Sequence, residues 1–129
     1  MSPRDVALAF LAHLAGGRID AARALLAPDV RMIFPGGVVL RSLDELAAWS
    51  RPRYRSIAKR IDRTDCSGAT VHVSGTLEGT WSDGRSFSGI RFVDRFDVRD
   101  GLIARQEVWN DMAEHRAGGT AGNASGGDI

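Results

Sequence analysis

The sequence predicts an α+β domain, helical in its first half and a long antiparallel meander in its second. Three observations predict it. Apolar residues recur at helical spacing in separate stretches up to Trp49. From Ala69 to Trp81 they alternate instead, with Val71, Val73, Leu77 and Trp81 on one face and His72, Ser74, Thr76 and Glu78 on the other. Two turn signals, Asp83-Gly84 and Asp100-Gly101, then divide the rest of the meander into consecutive strands.

The first helix starts at Ser2-Pro3, with Ser2 as N-cap and Pro3 at the first helical position. Val6, Phe10, Leu11 and Leu14 make its apolar face, and Gly16-Gly17 ends it because glycine tolerates the left-handed cap. A short second helix is expected from Asp20 to Leu26, turning Ala21, Ala24 and Leu25 inward and stopping at Pro28. Val30 to Phe34 reads as a strand ended by Pro35-Gly36-Gly37, and Val38 to Leu40 as a brief partner beside it. Ser42-Leu43-Asp44-Glu45 matches a capping box and opens a third helix carrying Leu43, Leu46, Ala47 and Trp49. Arg51 to Arg63 holds six basic residues, either a solvated edge strand protected by its charge or an anion-binding rim.

In the meander, a two-residue turn at Asp83-Gly84 pairs Trp81 with Ser86, Leu77 with Ile90 and Val73 with Asp94. Asp94 therefore shares a face with Ile90, Phe92, Phe96 and Val98. The far face carries His72, Glu78, Arg91 and Arg95, suited to solvent or a dimer contact. A three-residue closure at Arg99-Asp100-Gly101 puts Gln106 opposite Asp94, Val108 opposite Phe92 and Asn110 opposite Ile90. A two-residue closure would bury Arg105 and Glu107, at the cost of desolvating two charges. Residues 1–115 make the domain, and 116–129, rich in glycine and without apolar periodicity, are expected to be a disordered tail.

Composition excludes more than it selects. At 129 residues, 43% hydrophobic and 26% charged, the chain is an ordinary globular domain able to bury a core. A net charge of +1 gives no electrostatic reason to expect nucleic acid or an anionic membrane as partner. The basic side is almost all arginine, with Lys59 the only lysine, an imbalance from which no function is drawn. Cys66 stands alone, which rules out an internal disulfide and fits a reducing compartment. No apolar run approaches the ~18 residues of a membrane span, and the N-terminus lacks the pattern of a signal peptide, so a cytoplasmic location is expected. His13, His72 and His115 are scattered and give no metal site. Walker, nucleophile-elbow and dinucleotide motifs are lacking, so no cofactor is expected.

Two phrases, FLAHLAGGRIDAARALLAPDVRMIFPGG near the start and FVDRFDVRDGLIARQEVWND near the end, resemble the nuclear transport factor 2 and SnoaL-like superfamily over residues 3–115. The resemblance implies a cone-shaped fold, a curved antiparallel sheet wrapped around three N-terminal helices. It implies no single activity, because this fold hosts isomerases, cyclases, dehydratases, hydrolases and binding modules. Against the ketosteroid isomerases, Phe10 falls at the oxyanion-hole tyrosine, Phe34 at the aspartate base, and Asp94 at the protonated aspartic acid of the oxyanion hole. One catalytic group of three is kept, which argues against steroid isomerisation by that route. Against the limonene-type epoxide hydrolases, Val108 stands at the last-strand aspartate and Ser74 or Thr76 near the other two positions, so that triad is absent.

The cone implied by the resemblance would be lined by Phe10, Leu14, Phe34, Trp49, Trp81, Phe92 and Val108. Its polar groups would be Asp94, Gln106 and Asn110, with Tyr54 at the mouth. Buried without a charged partner, Asp94 would favour its neutral form and could shuttle a proton next to a carbonyl, in isomerisation, cyclisation or dehydration. Gln106 or Asn110 would hydrogen-bond the carboxyl or the ligand. The alternatives are a binding pocket without catalysis, an interaction module using the outer sheet, and an Asp94 neutralised by Arg91, Arg95 or water. The expected partners are a small hydrophobic organic ligand and a second copy of the chain, joined through the outer sheet face.

Overall fold

A computed structural model describes residues 1–121, with side chains through Arg116. Three helices come first, α1 (Pro3–Ala15), α2 (Ile19–Arg23) and α3 (Leu43–Ser50), with strands β1 (Leu26–Phe34) and β2 (Val38–Leu40) between the second and third. Four long strands follow, β3 (Tyr54–Ser67), β4 (Thr70–Trp81), β5 (Ser86–Arg99) and β6 (Leu102–Asn110), and α4 (Met112–Ala121) closes the described chain. They form one six-stranded sheet in the order β2-β1-β6-β5-β4-β3. It is antiparallel except where β1 runs parallel to β6, so the wholly antiparallel sheet expected is corrected at that one pairing.

Local chemistry sets the helix starts. Ser2 Oγ accepts from the Asp5 N–H at 3.1 Å while Asp5 Oδ2 accepts from the Ser2 N–H at 3.2 Å, a reciprocal capping box. On α3, Ser42 Oγ accepts from Glu45 N, but Glu45 reaches one residue further back, to the N–H of Arg41. The second helix is shorter than its sequence suggests. It ends at Arg23, buries Ala22 rather than Ala21 or Ala24, and yields Leu26 to β1, which pairs it with Ile103.

The core lies between α1 and the inner face of the sheet. Helix α1 crosses β3, β4, β5 and β6 and buries Val6, Ala7, Phe10 and Leu11. Phe10 meets Phe96 edge-on with ring centroids 6.1 Å apart, a preferred geometry for two aromatics. Burial of each such side chain contributes about 1.5–3 kcal/mol.

Bulges bend the sheet, and they correct two expected registers. Val73↔Asp94 and Leu77↔Ile90 pair as expected, but the ladder slips beyond Leu77, so Thr80 rather than Trp81 pairs with Ser86. Gly89, at φ 70°, sits in that slip and takes a backbone conformation that suits glycine. At the other end, Asp100-Gly101 is a two-residue turn between Arg99 and Leu102, with φ of 54° and 76°. An extra residue, Ala104, then sits between the pairs Val98↔Ile103 and Asp97↔Arg105. The bulge restores the phase that the short turn would have inverted, keeping Arg105, Glu107 and Trp109 outward without a three-residue loop. Asp94 consequently pairs with Val108, Phe92 with Asn110 and Phe96 with Gln106, two residues from the expected register on the same face.

Beyond Asn110 the chain continues as helix α4, where no apolar periodicity announced one. Of the glycine-rich stretch 116–129 expected to be disordered, 122–129 lies outside the described residues.

Candidate functional site

Asp94 stands at the middle of β5, on the face that buries Ile90, Phe92, Phe96 and Val98. Its exposure is 0%, and Val73 and Val108 flank it on the neighbouring strands. A carboxylate so placed needs a counter-charge or strong donors. It has the first. Lys59, on β3 beyond β4, extends across the inner face and its Nζ pairs with Asp94 Oδ2. The same ammonium lies 5.0 Å from the centroid of the Phe92 ring, a cation–π contact.

Lys59 corrects two expectations. Arg91 and Arg95 do not neutralise Asp94, because they face outward and hold Asp111 and Glu107, each at 2.5 Å. The basic run is the edge strand expected of it, but Lys59 leaves the solvated row and turns inward. The signal is in the sequence, since Ile57, Lys59 and Ile61 repeat at period two and mark one strand face. A count of charges along the run hides it. On that face Lys59 keeps a side-chain exposure of 26%, with Ile57 and Ile61 exposed on either side. Asp94 is thus the buried member of the pair and Lys59 the partly exposed one.

Among the described residues, three buried polar atoms lack a hydrogen-bond partner: Asp94 Oδ1, Gln106 Oε1 and Trp49 Nε1. Gln106 lies between Phe96 on β5 and Met32 on β1, one diagonal step from Asp94. Each such atom left unpaired costs about 1–3 kcal/mol. An ionised Asp94 has one oxygen on Lys59 and the other ready to accept a proton or a donor.

The remaining residues named from sequence fall into separate groups. Phe10, Phe92 and Val108 are buried with Asp94. Leu14 is partly buried against the same core. Phe34 and Trp49 meet at a tilt of 57° with ring centroids 5.0 Å apart, and the Arg53 guanidinium lies 4.1 Å over Trp49. Tyr54, Trp81 and Phe87 form an aromatic cluster whose tightest pair, Trp81 and Phe87, is 4.4 Å apart. Burial raises the Tyr54 phenol above its usual range, so it is a neutral hydroxyl at neutral pH. Asn110 serves the backbone, its Oδ1 accepting from Met112 N at the start of α4. His13 Nδ1 accepts from Arg18 Nε at the end of α1. An open groove of about 390 Å³ runs along β3, β4 and β5 between Ser56, Ile57, Glu78 and Phe87, and does not include the Lys59–Asp94 pair.

The SnoaL-like domain family model matches residues 7–106. No curated protein matches. Among solved structures, an NTF2-like protein of unknown function from Burkholderia pseudomallei is 24% identical, with 91% of this chain and 97% of that one covered and a TM-score of 0.80. TerC, co-crystallised with polyporic acid, is 22% identical over 90% of this chain and 97% of its own, with a TM-score of 0.78. IdmH of Streptomyces antibioticus, a candidate polyketide cyclase, is 20% identical over 91% and 97%, with a TM-score of 0.76. These likenesses concern the fold. The matched segment runs from α1 through the Gln106 position of β6 and contains both members of the buried ion pair: the chain belongs to the SnoaL-like domain family.

Proposed function

We propose that the protein binds a small hydrophobic carbonyl compound on the inner face of its sheet and moves a proton on it, with Asp94 as the acid/base. One observation carries this reading. Asp94 is fully buried, is held by Lys59 through one oxygen, and leaves the other oxygen without a donor. Such a carboxylate is poised to take a proton from a carbon next to a carbonyl, the step shared by isomerisation, aldol-type cyclisation and dehydration. The apolar residues around it, Phe10, Phe92 and Val108, suit a hydrophobic substrate body. A carboxyl group can carry out this proton transfer without a cofactor. Family membership is consistent with small-molecule chemistry of this kind and does not name the compound.

The test uses 2-tetralone, a bicyclic ketone with exchangeable hydrogens beside its carbonyl. Protein in D2O should speed their loss from the NMR spectrum, and Asp94→Asn should lower that rate about 10²-fold or more. Tryptophan fluorescence should show binding retained. Binding without exchange by the unaltered protein would favour a non-catalytic ligand-binding module; neither binding nor exchange would sink both readings. The same proposal places a second copy of the chain against the outer sheet face, where Val93 and Trp109 are exposed.

A further inference from the structure

Of the 17 lysine and arginine residues, Lys59 is the one lysine, and it stands against Asp94, the fully buried acid among the described residues. For an ion pair alone arginine is the better partner, since its planar fork grips both carboxylate oxygens and it is less strongly hydrated. Arginine does not release its proton, and lysine can. A lysine at this position can give up a proton, which an arginine there could not.

Geometry agrees with that difference. Lys59 is the solvent-facing member of the pair and Asp94 the buried one, with side-chain exposures of 26% and 0%. Ile57 and Ile61 stand two residues either side of Lys59 on the same face of β3, both exposed, and the Phe92 ring centroid lies 5.0 Å from its ammonium, so the cation is set among apolar side chains. Among the described residues Asp94 is the hydrogen-bond partner of Lys59, which leaves further N–H donors for a ligand.

We infer that Lys59 is a second catalytic residue, the acid to Asp94's base, and that the site takes compounds whose carbonyl or enol oxygen lands on the Lys59 ammonium. The inference rests on the acid/base reading of Asp94. Asp94 Oδ1 removes a proton from the carbon beside the carbonyl. The C–H electron pair becomes the new C=C bond, the carbonyl π pair moves to oxygen, and Lys59 gives that oxygen a proton. Asp94 ends protonated, Lys59 ends as the neutral amine, and the ligand is an enol. Reprotonation on carbon and return of the hydroxyl proton to Lys59 restore both groups.

A single lysine makes the test direct. Protein carrying lysine labelled with carbon-13 at Cε gives one side-chain lysine resonance. Saturation with 2-naphthol, a planar phenol resembling the enol, is expected to shift it, and naphthalene is expected not to. In the 2-tetralone assay, Lys59→Arg should keep 2-naphthol binding and lose exchange by about 10²-fold or more. If Lys59→Arg exchanges at the unaltered rate while Asp94→Asn does not, Lys59 is only a counter-ion and the reading of Asp94 survives. If the unaltered protein shows no exchange, both fall. Should Lys59→Arg fail to fold, the resonance decides, since a lysine signal unmoved at saturating 2-naphthol overturns the inference.

Discussion

Removing one member of the Lys59–Asp94 pair leaves the other without a counter-charge, and the two removals are unequal. In Lys59→Met the stranded group is a carboxylate with no exposure, whereas in Asp94→Asn it is an ammonium that can swing toward water. Breaking a fully buried pair costs about 3–5 kcal/mol. Because Lys59 is partly solvated, we expect about 2–4 kcal/mol for Lys59→Met and about 1 kcal/mol for Asp94→Asn. The double variant should be milder than the sum of the two, as urea denaturation of all four proteins would measure. Equal costs for the single variants would mean that the pair is not asymmetrically buried. Glu107 supplies a second, pH-dependent expectation. The Arg105 hydrogen bond first, and the Arg95 bond second, hold its carboxyl below the usual 4.5. A depressed folded-state value stabilises above the unfolded one, and that contribution disappears as pH falls through the folded value. The urea midpoint of the unaltered protein should therefore drop more steeply below pH 4.5 than that of Glu107→Gln. Parallel curves would show that the two arginines add nothing. Asp94 was legible in sequence because an acid in phase with Ile90, Phe92, Phe96 and Val98 breaks an otherwise apolar face. Its partner was not, because Lys59 lies two strands away and only a bent sheet brings its side chain within reach.

At the scale of the strand, the bend depends on Gly75 and Gly79. A Cβ at Gly75 would fall inside contact distance of the Arg60 carbonyl, and one at Gly79 would do the same with the Ser56 carbonyl. Both obstacles are backbone, so β3 itself would have to move. The slip in the β3–β4 ladder between Ile61 and Arg63 lies beside Gly75, where β3 crowds its neighbour most closely. Gly75→Ala is accordingly expected to destabilise by about 1–3 kcal/mol, the usual cost of overpacking. It should also weaken the reach of Lys59 to Asp94, since Lys59 is anchored on the displaced segment. The denaturation midpoint reports the first effect and the single lysine resonance the second; an unchanged resonance with a lowered midpoint would separate the bend from the site. Register shows why strand faces are easier to read than strand pairings. Alternation assigned the inner faces of β4, β5 and β6 correctly because a face depends only on parity. The pairings beyond Leu77 in β4–β5 and all along β5–β6 were off because a bulge changes the count without changing the apolar pattern. Ala104 carries no mark distinguishing it from any other strand residue.

At the scale of the molecule, the sheet is joined by contacts that no local pattern announces. The parallel pairing of β1 with β6 brings Arg31, Met32 and Ile33 beside Arg105, Gln106 and Glu107, far away in sequence, and no turn signal connects them. The outer face of this sheet carries the proposed dimer contact. Val93 and Trp109 are directly paired across β5 and β6 and remain 37% and 48% exposed, an apolar centre on a polar surface. Around them the Arg95–Glu107 and Arg91–Asp111 pairs place both charges on the same patch, and the Arg95 guanidinium lies 5.2 Å from the Trp109 ring. A patch with an apolar centre and both charge signs is self-complementary, as a two-fold contact between identical chains requires. Tryptophan and arginine at the centre of such a contact carry much of its binding energy. Trp109→Glu should therefore weaken dimerisation about tenfold or more, about 1.4 kcal/mol or above, and leave the fold intact because the side chain is not part of the core. Sedimentation velocity across a micromolar concentration series reads the monomer–dimer balance of both proteins, and an unaltered protein that stays monomeric throughout would dispose of the contact altogether.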